Sequence, residues 1–160
     1  MKGPCYSYLE VMPTVYLTGP VKGVSYGEAT AWRDRFADNL KTKNIICFSP
    51  LRFREDQSKR PTLGHQPGDK SPRASVHRDL FDVKRCDLVF ANFLSTEITS
   101  FGSVFELGYA YALQKPVVLC IDKASVYDHC FLTETSGFIV HSEYEALEII
   151  ESILNPGRDS

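Results

Sequence analysis

The chain has 160 residues, 43% of them hydrophobic, and a formal net charge of −2 from 18 basic and 20 acidic residues. This length is typical of one globular domain that needs no disulfide or metal to hold its core. The near-neutral charge argues against polymeric nucleic acid and membranes as partners, but it leaves a small anionic ligand possible.

The cysteines indicate a reducing compartment. Their number, five, is odd, no CxxC motif occurs, and Cys47, Cys86 and Cys120 lie in or beside apolar runs. Such thiols fit a reduced core better than a disulfide framework or a zinc site. The chain also has no signal-peptide pattern and no apolar run of about 18 residues. We therefore expect a cytoplasmic protein without a metal or other cofactor.

The first part of the chain alternates apolar strands with a helical stretch. Residues 1–12 are interpreted as a loosely ordered leader, and residues 14–20 as a strand that ends at a Gly-Pro turn. Over about residues 25–43, apolar side chains recur at helical spacing with charges between them, which predicts an amphipathic helix. Residues 45–48 are predicted to form a second buried strand.

A long polar segment, residues 51–73, interrupts this pattern. Proline and glycine break it repeatedly, and structureless segments of this length in a compact domain are usually functional or disordered. Two interpretations stay open. The segment is either a solvated loop or a lid that brings the positive charge of Arg52 and its neighbours over a site.

The second part of the chain resumes the alternation. Val76, Leu80 and Val83 recur at helical spacing and predict a helix that turns these side chains inward. The apolar runs at residues 87–93, 116–121 and 137–140 predict three more strands, and a helix ending at Gln114 follows the first of them. The last helix begins at Ser142, where Glu145 completes the pattern of a capping box.

This order of elements predicts the fold class. Apolar strands that alternate with helices indicate a parallel sheet covered on both faces. Five strands in this order suggest an α/β three-layer sandwich of flavodoxin-like (Rossmann-like) topology, with residues 1–160 as a single domain. Ligands bind such a sheet beyond the carboxyl ends of its strands, where residues 19–23, the loop around Arg52 and residues 95–106 converge.

Glu106 is the first candidate for chemistry, since it lies near the start of a helix that follows a Gly/Ser-containing loop. A carboxylate there is stabilised by the helix dipole, by about 0.3–1 kcal/mol, and has no need of another function. However, Ser100, Gly102 and Ser103 line its approach, and the backbone N–H groups of a helix start bind anions. Glu106 is therefore either a helix-end carboxylate or a catalytic group beside an anion site.

Asp79 is the second candidate. It is either a surface residue paired with Arg78 or Lys84, or a second carboxylate of the same site. Hydrolysis at an anomeric carbon, as in glycoside hydrolysis, needs two such groups. One attacks or stabilises the anomeric carbon and the other handles a proton.

The loop after the first strand, Gly19-Pro20-Val21-Lys22-Gly23, matches no phosphate-binding motif. It is either an ordinary tight turn or a loop that contacts a base or sugar, with Lys22 near an anion. Tyr16 is either a core side chain or a contributor to that site. The four histidines are scattered without metal spacing, and no nucleophile elbow occurs.

These segments together resemble the nucleoside 2-deoxyribosyltransferase family, which includes a branch of 2'-deoxynucleoside 5'-monophosphate N-glycosidases. The resemblance covers roughly residues 14–121. The matching stretches are Val15-Tyr16-Leu17-Thr18-Gly19-Pro20, Arg78-Asp79-Leu80, Cys86-Asp87, Gly102 to Ala112, and Lys115-Pro116.

The resemblance implies roles for individual residues. Glu106 would be the nucleophile that forms a covalent glycosyl intermediate, and Asp79 would help to bind the sugar or base and transfer a proton. The nucleoside site would be lined by Tyr16, Gly19, Val21, Lys22 and Gly23.

Ser100 points to one branch of the family. The transferases that use free nucleosides typically carry Asp six residues before the nucleophilic Glu, whereas the monophosphate N-glycosidases carry Ser, as this chain does at Ser100. A carboxylate would repel a 5'-phosphate, while a hydroxyl group can donate to it. The chain also lacks the aromatic C-terminus of some transferases, and both features favour a nucleotide substrate.

The resemblance also implies at least a homodimer. In the hydrolase branch a second subunit supplies a hydroxyl residue from the loop before the last strand, for which Thr133, Thr135 and Ser136 are candidates. We therefore predict cleavage of a (deoxy)nucleoside 5'-monophosphate through a glycosyl-Glu106 intermediate, with release of free base. The alternatives are base exchange between deoxynucleosides and a non-catalytic nucleotide-binding module.

Overall fold

The computed structural model of the chain describes residues 11–52 and 71–157. Most of the predicted leader and most of the polar segment predicted at 51–73 lie outside the described residues. None of the helices in the described ranges is long and apolar enough to cross a membrane.

The centre of the fold is a parallel sheet of five strands in the described part of the chain, ordered β2-β1-β3-β4-β5. The strands are β1 (Thr14–Thr18), β2 (Ile46–Phe48), β3 (Leu88–Asn92), β4 (Val117–Cys120) and β5 (Phe138–Val140). The prediction of a three-layer α/β sandwich with flavodoxin-like topology is confirmed.

Helices cover both faces of this sheet. They are α1 (Tyr26–Lys41), α2 (Pro72–Arg85), α3 (Phe101–Ala112), α4 (Cys130–Thr133) and α5 (Glu143–Leu154). Side chains of α1 and α5 pack with one face of the sheet, and side chains of α2 and α3 pack with the other. The sequence did not predict α4, because four residues are too few to show a helical period.

The inward face of α2 differs from the prediction. Val76 is 54% exposed, so its predicted inward position is wrong, whereas Asp79, Asp82 and Val83 are buried. Arginine side chains pair with the two buried carboxylates, which makes a partly charged inner face possible. The apolar period misled because it assumes that the buried face of a helix is apolar.

Two helix starts also refine the prediction. Ser71 accepts a hydrogen bond from the Ala74 N–H, so α2 begins at Pro72, inside the segment predicted as loop. At α5, Ser142 accepts from the Glu145 N–H as predicted, but the Glu145 carboxylate accepts from the His141 N–H at 2.8 Å. The predicted capping box is therefore only half formed.

The described cysteines carry free thiols. Cys86 and Cys120 are buried and Cys47 is partly buried. Burial raises the pKa of Cys86 to about 11 and the pKa values of Cys47 and Cys120 to about 12. Because the thiolate is the reactive form, these three side chains behave as core residues at neutral pH.

Gly19, directly after β1, lets the backbones of β1 and β3 approach each other. A Cβ atom at this position would lie 2.6 Å from the backbone oxygen of Asn92 and 3.0 Å from the Trp32 ring. The buried guanidinium group of Arg33 donates hydrogen bonds to the carbonyl oxygens of Gly19, at 2.8 Å, and Ala29, at 2.5 Å. The loop after β1 is thereby fixed against α1 at the carboxyl edge of the sheet.

Candidate active site

The candidate site lies at the carboxyl edge of β1 and β3, the neighbouring strands at which the chain order in the sheet reverses. In sheets of this topology the connections leave in opposite directions at such a point and open a crevice. The loops that follow β1 and β3 border the crevice, and α3 begins at the end of the second loop.

The side chain of Glu106 is held by two hydroxyl groups. Tyr16 Oη donates to Oε1 of Glu106 at 2.9 Å, and Thr18 Oγ1 donates to Oε2 at 2.5 Å. Tyr16 and Thr18 are two residues apart on β1, so their side chains leave the same face of the sheet. One strand thus orients both oxygens of a partly buried carboxylate on α3.

The surroundings of Glu106 raise the pKa of this carboxyl group. Burial is the largest cause, and the hydrogen bonds from Thr18 and Tyr16 oppose it; the negative charge of Asp79 adds to the rise and Arg33 opposes it. Burial also raises the pKa of Tyr16 well above its usual range, with the charges of Glu106 and Asp79 adding to the effect. Tyr16 therefore stays protonated and continues to donate to Glu106.

Asp79 lies close enough to this pair for its charge to act on both groups. It is only 8% exposed, and Arg78 Nη2 donates to its Oδ1 at 3.0 Å. The same Arg78 nitrogen donates to the carbonyl oxygen of Pro50 at 2.8 Å. Asp79 thus has the Arg78 partner expected of a surface residue, but it is buried and its charge acts on Glu106.

Ser100 caps the start of α3. Its Oγ accepts a hydrogen bond from the Ser103 N–H at 3.4 Å and lies 3.0 Å from the Ser103 Oγ. The N–H groups of a first helical turn have no acceptor within the helix, and they favour anions. Gly102 lies in this exposed turn, and apart from its chain neighbours and the backbone of its own helix, no atom of the described residues comes within 4 Å of the position of a Cβ there.

The β1–α1 loop meets the β3–α3 loop at this edge. Val21 is partly buried, while Lys22 and Gly23 are exposed. Gly23 has φ +90°, and a Cβ atom there would lie 2.9 Å from Cδ1 of Ile98. The predicted binding residues 21–23 therefore lie in the same loop cluster as Ser100, and their contact with a substrate stays a prediction.

The structure places Arg52 against Asp82 rather than beside Glu106. The Arg52 guanidinium forms an ion pair with the buried Asp82 carboxylate and lies 5.5 Å from the Phe48 ring centroid. Arg85 binds the other Asp82 oxygen at 2.8 Å. A role for Arg52 in substrate binding stays a prediction.

Two residues that act on this carboxylate, Thr18 and Arg33, were not predicted from the sequence. Thr18 was detectable in principle, since it follows Tyr16 by two residues in a predicted strand. Arg33 gave no signal, because a charge beside Trp32 in an amphipathic helix is normally exposed. The Arg33 guanidinium is instead buried 4.3 Å from the Trp32 ring centroid.

Across residues 11–52 and 71–157, no three His, Cys, Asp or Glu side chains are grouped to hold a metal ion.

Comparisons with known proteins agree with this architecture. The model of the family described as nucleoside 2-deoxyribosyltransferase matches residues 15–148. No curated protein matches the chain significantly in sequence.

Solved structures with the same fold include both enzymes and a binding protein. A 2-deoxyribosyltransferase from Bacillus psychrosaccharolyticus is 18% identical, with a TM-score of 0.62 over 84% of this chain and 90% of that one. A CMP N-glycosidase from Clostridium botulinum is 20% identical, with a TM-score of 0.56 over 88% and 99%. A molybdenum cofactor binding protein from Rippkaea orientalis is 18% identical, with a TM-score of 0.59 over 89% and 98%.

Proposed function

The chain belongs to the nucleoside 2-deoxyribosyltransferase family, and we propose that it hydrolyses the N-glycosidic bond of a (deoxy)nucleoside 5'-monophosphate. The observation that carries this proposal is the carboxylate of Glu106, which accepts hydrogen bonds from Tyr16 and Thr18 at the carboxyl edge of the sheet. A carboxylate fixed in this way is suited to attack an anomeric carbon, as in retaining glycosidases.

In the first step, one Glu106 oxygen forms a bond to C1' of the sugar while the bond between C1' and the base nitrogen breaks. The bonding electron pair leaves with the base, which then needs a proton. Asp79 would supply or relay this proton and contact the sugar or base. Its burial and its influence on Glu106 support this role. The raised pKa of Glu106 also makes its ionised form a more basic nucleophile.

In the second step, a water oxygen bonds to C1' and the ester bond to Glu106 breaks. The water proton passes to a carboxylate of the site, and Glu106 is regenerated. In a transferase the incoming group would instead be the nitrogen of a second base. The two reactions share the glycosyl-Glu106 intermediate, and they differ in which acceptor reaches it.

The 5'-phosphate would lie at the start of α3. Ser100 and Ser103 present hydroxyl groups there, and the helix start favours a negative charge. Gly102 leaves room for close approach to the backbone, and the exposed Lys22 on the neighbouring loop would add positive charge. These features support a phosphorylated substrate over a free nucleoside.

A substrate panel tests the proposal. We expect purified protein to release free base from at least one ribo- or deoxyribonucleoside 5'-monophosphate and to release less from the matching nucleoside. Chromatography measures the free base in both reactions. Formation of a new nucleoside when a second base is added would favour the transferase instead. Ligand-induced thermal stabilisation without any release would identify a nucleotide-binding module and refute hydrolysis.

We expect Thr18→Val to shift the acid limb of the pH profile of kcat/KM to higher pH. The hydrogen bond from Thr18 lowers the pKa of Glu106, so its loss leaves the opposing effect of burial less compensated. The ionised carboxylate required for attack then forms only at higher pH, and the acid limb reports this ionisation in the free enzyme.

The matched control is Thr30→Val, which removes a hydroxyl group that bonds within α1. We expect its pH profile to match that of the unmodified protein. If Thr18→Val leaves the acid limb in place, then Glu106 is not the group that this limb reports.

We also propose that the protein acts as a homodimer in a reducing, cytoplasmic compartment. The exposed side of α3 supports a subunit contact, since Phe101 is 84% and Phe105 63% exposed on one helical face. A partner subunit would also bring a hydroxyl residue such as Thr133, Thr135 or Ser136 to the site. We expect sedimentation to give a dimer that Phe105→Glu converts to monomer with loss of turnover; a monomeric unmodified protein would contradict this.

A further inference from the structure

Tyr127 lies in the turn segment between β4 and α4 and is 2% exposed. Its ring stacks on the ring of Phe93, with centroids 3.8 Å apart and an interplanar angle of 5°. Its backbone N–H donates to Ser125 Oγ at 3.1 Å. Because the ring packs against the residue that follows β3 and the backbone is held as well, the hydroxyl group has a fixed position at the carboxyl edge of the sheet.

The hydroxyl group of Tyr127 joins two backbone groups of the β3–α3 loop. It donates to the carbonyl oxygen of Ile98 at 2.6 Å and accepts from the N–H of Ser100 at 2.7 Å. Burial raises the pKa of Tyr127, so the proton needed for the first bond stays in place. One oxygen atom therefore fixes the chain on both sides of Thr99, directly before α3.

A second anchor holds the other end of the same loop. The N–H of Ser95, which has φ +54°, donates to Oδ2 of Asp122 at 2.7 Å. Ile98 also packs against Gly23 of the β1–α1 loop. Loss of the Tyr127 hydroxyl would therefore remove the two bonds that tie the Ser100 end of the loop to the β4–α4 connection, while Ser100 keeps its bonds to α3 and the start of the loop stays attached to Asp122.

Glu106 is held by different contacts. Its carboxylate is bonded to Tyr16 and Thr18 on β1, and α3 is anchored in the core by the buried side chains of Leu107 and Ala110. A change at Ser100 therefore need not move Glu106. The two parts of the proposed site are therefore held by different contacts: Ser100, at the phosphate, by Tyr127, and Glu106, at the reacting carbon, by β1 and the core.

We propose that Tyr127 is a positioning residue whose hydroxyl group sets the place of Ser100 and thereby the affinity of the site for a 5'-phosphate. This inference rests on the proposed function, since it assigns Ser100 to the phosphate. Tyr127 itself would not touch the substrate, because it is 2% exposed and its hydroxyl group already bonds to Ile98 and Ser100.

The test is Tyr127→Phe in the full chain, with kinetics on the accepted 5'-monophosphate and on its nucleoside. We expect KM for the monophosphate to rise about tenfold, the scale of one net hydrogen bond, with kcat within about twofold. We expect kcat/KM for the nucleoside to stay unchanged. Tyr111→Phe is the matched control, because this tyrosine is 58% exposed on α3, and circular dichroism confirms folding of each variant.

Hydrogen exchange of the Ser100 amide, measured by NMR, gives a second readout that needs no turnover. We expect this amide to exchange faster in Tyr127→Phe than in the unmodified protein or Tyr111→Phe. Equal losses on monophosphate and nucleoside, or a fall in kcat at constant KM, would overturn the proposal. If the unmodified protein cleaves no monophosphate, the proposed function fails by itself. An unchanged Ser100 exchange rate would separately refute the role of Tyr127.

Discussion

Glu106→Gln is expected to abolish base release and to leave the protein folded. Removal of a catalytic nucleophile costs at least about 10³-fold in kcat, because the remaining groups only bind and orient the substrate. Gln has the shape of Glu, and the hydroxyl groups of Tyr16 and Thr18 can still bond to its amide. Single-turnover base release, compared with that of the unmodified protein, measures the loss.

The same substitution is also expected to change how the stability of the folded protein depends on pH. The folded-state pKa of Glu106 is raised, so its contribution to stability is fully present below the unfolded-state pKa and is lost as the pH rises through the folded-state pKa. An uncharged Gln avoids this loss. We therefore expect urea unfolding to show Glu106→Gln at least as stable as the unmodified protein at neutral pH, with the difference shrinking towards about pH 4.

Glu134→Gln is the control, since it removes a carboxylate from an exposed residue at the end of α4. It should keep both turnover and stability. If Glu106→Gln kept substantial turnover, the covalent mechanism would be wrong. If it instead lost activity and unfolded, the carboxylate would be a structural element of the β1–α3 contact.

The sheet was predictable from the sequence because its strands are apolar on both faces and are separated by helices. The start of α2 was less predictable, since Pro72 resembles a loop residue unless the cap at Ser71 is recognised. The burial of Asp79 and Asp82 could not be read from the sequence. It depends on arginine partners, and for Asp82 one of these, Arg52, is 30 residues away in the chain.

The site likewise has residues that could be predicted from the local sequence and residues that could not. Glu106 and Ser100 could be proposed as site residues because they lie in one short segment at a predicted helix start. Tyr127 could not, since its two bonds reach 27 and 29 residues back in the chain to backbone groups. Contacts of this kind depend on how the β4–α4 connection folds over the β3–α3 loop, and no local period or motif encodes that.

Ser100→Asp is expected to change the preferred substrate from the 5'-monophosphate to the matching nucleoside. Asp caps helices as well as Ser does, so α3 should keep its start. A carboxylate facing a 5'-phosphate costs several kcal/mol, so we expect kcat/KM for the monophosphate to fall about 10²–10³-fold. The matching nucleoside, which has no phosphate, should lose little or react faster. Competition between the two substrates measures the change directly.

Ser100→Asn separates charge from size in this experiment, because Asn has nearly the shape of Asp and also caps helices. If repulsion is the cause, Asn keeps most of the activity on the monophosphate, and added salt partly restores the Asp variant by screening the exposed charges. Equal losses in both variants would make the effect steric, and equal losses on both substrates would place the 5' end of the sugar away from Ser100. The difference between the two variants thus decides whether the charge at position 100 determines if the proposed nucleophile, Glu106, accepts a nucleotide or a nucleoside.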